Sequence, residues 1–313
     1  MGPSSTQDSK PAWFYRLILV AATLFWGGNF VIGKFAVSVL DPIWVIAIRF
    51  SAAGLLLGLL CLKRVRRNIN RRLVIAGCIM GLFSFLGFWT QFLGLASTTP
   101  SKNAFLSTCY CVTVPFIWWL VARRRPTKSN LLAAAICVIG MGFITLQGDF
   151  SIGWGDSISM LSAVLYGAEI VAIALLVRKH DIITISVVQM LACGIFASSF
   201  GIAAGIPLNF EAFQEPSFIA QMAYITLLGS LFGSTAQNHA QSHIPPAQVS
   251  LICALESVFG TIFSVIFLHE TLTLQLLVGF ALVFAAILIS ELGGNADSRQ
   301  DDDSKAAELL TSQ

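Results

Sequence analysis

Long apolar runs alternate with short polar breaks along the whole chain, and the runs are similar in length. Ten of them lie near 13–40, 43–62, 73–96, 101–122, 129–147, 157–178, 182–206, 218–242, 246–268 and 273–292, each 19 to 28 residues long. A helix needs about 20 residues to cross a hydrocarbon core of about 30 Å. Lipid offers no partner to backbone polar groups, so each run predicts a transmembrane helix. Pro42, Pro100, Pro126, Pro207, Pro216 and Pro245-Pro246 punctuate the connections, where a proline ends one helix or opens the next. Residues 1–11 and the stretch 293–313, with Asp301-Asp302-Asp303, are polar and read as disordered cytoplasmic tails. The first apolar run is too long for a signal peptide and ends in no Ala-x-Ala site.

Composition supports this reading and narrows it. Hydrophobic residues make up 56% of the chain and charged residues 11%, against about 25% charged in soluble domains. The expectation is an all-α, polytopic membrane protein with no nucleic-acid partner. Of the 19 lysines and arginines, only Lys34, Arg49 and Lys102 fall outside one set of connections and tails, the set that includes Lys63–Arg72, Arg123–Lys128 and Arg178-Lys179. The positive-inside bias makes that side cytoplasmic, with both termini inside a cell membrane. Trp13, Tyr15, Trp118 and Trp119 then mark the inner boundary, and Trp44 and Trp154 the outer one. The Lys63–Arg72 run suits anionic membrane lipids, although the topology bias alone accounts for it. All seven cysteines lie within apolar segments and read as packing residues. No phosphate-cradling glycine loop and no nucleophile elbow occurs, and no cofactor is implied.

The two halves repeat. Shifted by 140 residues, Phe25-Trp26-Gly27 falls on Leu165-Tyr166-Gly167, Asp41 on Asp181, Ala52 on Ala192 and Gly54 on Gly194. Shifted by 146, Ser84, Gly87 and Gln91 fall on Ser230, Gly233 and Gln237, Val112 on Val258 and Thr127 on Thr273. An extra loop around Asn209–Pro216 absorbs the difference. Each half, 12–148 and 149–292, therefore holds five helices, and an odd number inverts the second half relative to the first. Ten transmembrane helices arranged as two inverted repeats is the plan of secondary transporters, which move solute by alternating access around a midplane site. The alternative is an intramembrane enzyme acting on a lipid or isoprenoid. It would need acidic or histidine residues clustered near one membrane face.

The Trp-Gly-x-Asn-Phe…Lys opening at Trp26–Lys34 resembles the drug/metabolite transporter superfamily, in its ten-helix EamA-like branch. So do Asp41-Pro42…Arg49 and His269-Glu270-Thr271-Leu272-Thr273, in a resemblance spanning roughly 13–292. Arg124 stands where that family usually repeats the glutamate of Glu270, and Ser257 replaces a common proline. The resemblance implies a cavity lined mainly by helices 1–4 and 6–9, with helices 5 and 10 peripheral. It also implies small metabolites, often amino acids, as substrates moved outward.

Candidate pathway residues are the polar ones that apolar helices have least reason to carry. Lys34, Arg49, Glu169 and Glu256 each cost about 2.5–3.5 kcal/mol at a helix centre. Their balanced signs allow mutual pairing, with Lys34 facing Glu169 or Glu256; such pairs would also serve packing alone. Glu169 stands where its repeat partner has Asn29, beside Trp26 and Tyr166, and is a candidate proton carrier or contact for a cationic group. Glu256 is the other candidate. Gln91 and Gln237 form a polar pair for a ligand or for interhelical hydrogen bonding, and Gln189, Asn238 and His239 lie nearby in the pattern. His239 and His243 have helical metal-ligand spacing, but Ala240 follows where a metalloprotease needs glutamate, so no metal is expected. Phe85, Phe88, Trp89 and Phe92 share one helical face and suit either an apolar ligand or packing.

Overall fold

The structure is a computed structural model that describes residues 11–123, 125–145, 152–244, 249 and 252–289. Among those residues there is no strand. The first half runs through α1 (Ala12–Val39), α2 (Pro42–Leu60), the short basic α3 (Leu62–Asn68), α4 (Arg71–Ser97), α5 (Pro100–Thr108), α6 (Tyr110–Ala122) and α7 (Lys128–Thr145). The second half has α8 (Trp154–Leu176), α9 (Ile182–Ala203) and α10 (Pro216–Tyr224). A π-helix over Ile225–Ser234 joins α10 to α11 (Thr235–His243), and α12 (Leu255–Leu268) and α13 (Leu274–Leu288) follow. Seven stretches are long and apolar enough to cross a membrane, and three shorter apolar helices bring the spans to ten. The protein is thus an all-α, multi-pass membrane protein. Both polar tails expected at the ends fall outside the described residues.

Local chemistry sets the helix ends, and it does so twice over. Asp41 and Asp181 cap α2 and α9, accepting from the Ile43 and Thr184 amides at 2.9 and 3.0 Å. Pro42, Pro100 and Pro216 occupy first turns, where a missing amide proton costs nothing. The two non-glycine residues with positive φ among those described are Arg123 (56°) and His269 (52°), and they are 146 apart. Each ends the fourth span of its half in a left-handed C-cap.

Tertiary pairing follows the same register. The α2–α9 and α7–α13 contacts each join a span to its own repeat partner, and α1 packs on α12 as α8 packs on α6. Small residues let the backbones approach at matched points. A Cβ on Gly54 would meet Leu191, and one on Gly194 would meet Ser51, the residue Leu191 pairs with in the repeat. Likewise Gly27 abuts Phe259 and Gly167 abuts Thr113, whose positions also correspond. The inverted two-fold arrangement is therefore present at the level of single contacts. Leu60, Leu120, Ile202 and Leu274 stay strongly exposed, as lipid-facing residues do.

Two features depart from a simple row of helices. The fourth span breaks at Cys109, between α5 and α6, and Pro115 lies inside α6. The eighth span loosens into ten π-helical residues, whereas its partner α4 is α-helical throughout. π-Turns leave carbonyls free of the regular ladder; here the Gly229 carbonyl accepts the Trp26 indole at 2.9 Å.

Candidate functional site

Near the pseudo-axis the helices line a small cavity of about 50 Å³, narrower than a ligand-filled small-molecule site. From α1 it is lined by Trp26, Asn29 and Phe30, and from α8 by Tyr166, Glu169 and Ile170, their three repeat partners. Gln91 of α4 faces in, and so does its partner Gln237 of α11. Tyr110 and Glu256, also 146 apart, complete the matched set, while Phe88, Phe92, Leu95 and Cys253 fill the rest. A cavity built from matched pairs lies on the axis that relates the halves.

Hydrogen bonds hold the polar lining. The Glu169 carboxylate accepts from the Ser84 hydroxyl at 2.5 Å and the Gln189 amide at 3.2 Å. Gln189 also donates to Ser84 at 2.9 Å and accepts from Asn238 at 2.7 Å, and Asn238 donates to Ser186. Tyr166 donates to Gln91 at 2.8 Å, and Gln91 donates to Ser107 at 3.2 Å. Glu256 accepts only long bonds, from Tyr110 at 3.3 Å and Thr108 at 3.5 Å. Both carboxylates are buried, at 5% and 8% exposure. Hydroxyls and amides partner them rather than cations, so each can change charge without breaking an ion pair.

Of the residues singled out in the sequence, Trp26, Asn29, Gln91, Tyr166, Glu169, Gln237 and Glu256 come together here. Gln189 and Asn238 stand behind Glu169 and reach it through hydrogen bonds. Lys34 is elsewhere: its ammonium donates to the Leu95, Ala96 and Thr98 carbonyls at 2.7, 3.1 and 2.7 Å, closing the C-terminal end of α4. The helix end, with its unsatisfied carbonyls, outcompetes a distant carboxylate for this cation. Arg49 is fully buried behind Phe88 and Phe92. The expected pairing among Lys34, Arg49, Glu169 and Glu256 does not form, since the ion pairs among the described residues are Arg64–Asp181 and Lys102–Asp156.

The lining also differs from the expected one. α2 and α9 contribute no lining residue, because their close crossing places them behind the wall as a support. The aromatic face of α4 divides: Phe88 and Phe92 line the cavity, whereas Phe85 and Trp89 pack on Phe196 and Phe200 of α9. His239 and His243 meet Tyr15 instead of a third ligand, the Tyr15 ring stacking on His243 at 4.1 Å. Tyr110 lines the cavity and Ser84 donates to Glu169, placements that sequence reasoning did not assign. The signal for Tyr110 was present, since the register places it on Glu256.

Membrane-crossing helices folded as two inverted repeats around an axial cavity with a few matched polar groups define a transporter architecture. The chain belongs to the EamA-like transporter family, which matches residues 13–146 and 153–292 in turn. Similar proteins include an uncharacterized transporter of Archaeoglobus fulgidus, 28% identical over 87% of this chain and 84% of its own length. The uncharacterized inner membrane transporter YedA of Escherichia coli is 23% identical over 87% of this chain and 89% of its own. The uncharacterized transporter YdeK of Bacillus subtilis is 25% identical over 85% and 91%. A solved crystal structure superposes with a TM-score of 0.65 at 15% identity, covering 91% of this chain and 98% of that one, which shows a shared fold.

Proposed function

We propose that this protein is a secondary active transporter that exports a small metabolite, an amino acid or a related compound, across the cell membrane by alternating access. The observation that carries the reading is the axial cavity. Its polar lining is made of repeat partners, so exchanging the conformations of the two halves presents the same groups to the opposite side. Contacts at matched places in the two halves support the same reading. On one side Thr98, the C-cap of α4, donates to Asp156 of α8 at 2.5 Å, and Lys102 of α5 pairs with the same carboxylate at 3.4 Å. On the other, Tyr15 of α1 stacks on His243 of α11, within one residue of the repeat register. The placement of basic residues supports a cytoplasmic location for both termini.

Proton coupling through Glu169 completes the mechanism. The carboxylate sits in the cavity wall, held by Ser84 and Gln189, neutral donors that tolerate both charge states. Protonation from one side and release to the other would alternate with ligand binding. A metabolite-release screen in cells overproducing the protein identifies the solute. Uptake into proteoliposomes under an imposed pH gradient then tests the coupling. Glu169→Gln is expected to lower gradient-driven transport at least about tenfold and to flatten its pH dependence; an unchanged pH profile excludes Glu169 as the carrier.

A further inference from the structure

The cluster around Glu169 has a repeat partner that is built differently. Glu169, Ser84 and Gln189 correspond to Asn29, Ser230 and Arg49. Around Glu169, a carboxylate accepts from a serine and an amide. In the partner cluster an asparagine replaces the acid and an arginine replaces the amide. Arg49 Nε donates to Ser230 Oγ at 2.7 Å, but Nη1 and Nη2 have no hydrogen-bond partner, although the side chain is 0% exposed. Asn29 Oδ1 is also buried without a partner. Asn29 rests on the same stretch of π-helix, where a methyl group on Gly229 would collide with its amide.

A buried guanidinium with unused donors is expensive to keep. The rings of Phe50, Phe88 and Phe92, centred 4.8, 4.7 and 5.2 Å from its carbon, offset part of that cost. Phe88 and Phe92 belong to the cavity wall, so two of the rings that Arg49 touches also face the cavity. We infer that Arg49, Ser230 and Asn29 form the subsite for a carboxylate on the transported molecule. That group sits beside Arg49 as the Glu169 carboxylate sits beside Gln189 in the other half. Two free Nη donors match the two oxygens of a carboxylate. Glu169 and Glu256 on the remaining wall favour a ligand whose other end is neutral or cationic. The inference rests on the transporter reading of the cavity and names the chemical class that it admits.

Thermal unfolding of the purified full chain in detergent tests it, with 3-phenylpropionate, butyrate and alanine each compared with its amide, and with sodium chloride alone. At least one acid is expected to raise Tm by roughly 4 °C at about a hundredfold excess over Kd, while its amide does not. Arg49→Gln should weaken the response at least about tenfold, and Arg49→Lys should fall between, keeping charge but losing the planar fork. Asn29→Glu, which copies the partner half, should raise the Tm of the free protein and abolish the acid response; it carries the test if Arg49→Gln does not fold. The subsite is overturned if acids and amides act alike or not at all, if chloride gives the full shift, or if Asn29→Glu leaves the response intact. Counterflow in proteoliposomes separates the two ideas. Acid binding without counterflow removes the transporter reading and keeps the subsite, whereas equal counterflow of acid and amide through the Arg49→Lys protein removes the subsite and keeps transport.

Discussion

At the scale of single residues, the pseudo-symmetry is most informative where it fails. Trp26 and Tyr166 hold matched places in the cavity wall, yet one donates to a backbone carbonyl and the other to Gln91. Gly27 and Gly167 hold matched places too, against different obstacles. A Cβ at Gly27 would lie 2.5 Å from Phe259 Cβ and 2.9 Å from the Gly260 backbone nitrogen, whereas at Gly167 it meets the ends of the Thr113 and Ile117 side chains. Backbone cannot move aside as a side-chain tip can. Gly27→Ala is therefore expected to cost about 1–3 kcal/mol and Gly167→Ala less, as measured by unfolding in detergent. Equal losses would mean that α1 and α12 separate more readily than their packing suggests.

At the scale of elements, the connections carry the charge that the spans avoid. α3 brings Arg64 onto Asp181, the N-cap of α9, with Arg64 Nη2 donating to a carboxylate oxygen at 2.7 Å. Burial works to raise the Asp181 carboxyl, but hydrogen bonds from Arg64 and Thr184 outweigh it and hold the group below its usual range. Arg64 is raised, chiefly by the same hydrogen bond. Because the folded-state value of Asp181 lies below the unfolded one of about 3.9, its contribution is present at neutral pH and fades as pH falls through the folded value. The pair is partly open to solvent, so screening keeps its worth at about 0–1 kcal/mol. Asp181→Asn keeps an oxygen for the cap while removing the charge. Its small loss in Tm at pH 7 should shrink in high salt and fade as pH falls below the unfolded value of about 3.9, whereas Asp181→Ala should cost about 1 kcal/mol more through the lost cap.

At the scale of the whole molecule, two halves of one plan meet on an axis, and each end carries its own contact. The Asp156–Thr98 contact joins α4 to α8, and the Tyr15–His243 stack joins α1 to α11. Alternating access requires that each opens in turn. In a background with the native cysteines replaced, a disulfide between Thr98→Cys and Asp156→Cys should stop transport when oxidised and restore it on reduction. Full transport by the oxidised protein would show that this end does not open.

The pattern of the chain determined a great deal. Run lengths determined the spans, because a helix must cross a fixed thickness of hydrocarbon, and the matched positions determined the inverted repeat, because both halves solve the same packing problem. Trp26, Asn29, Gln91, Tyr166, Glu169, Gln237 and Glu256 were legible as cavity residues because polar groups in lipid-length helices need a polar place to go. Only the tertiary structure decided which polar groups meet. It turned Lys34 to the carbonyls ending α4, buried Arg49 behind two phenylalanines, and set Tyr110 against its own repeat partner Glu256. Those outcomes depend on the angles at which helices cross and on a π-helical stretch in one half alone, and a linear pattern records neither.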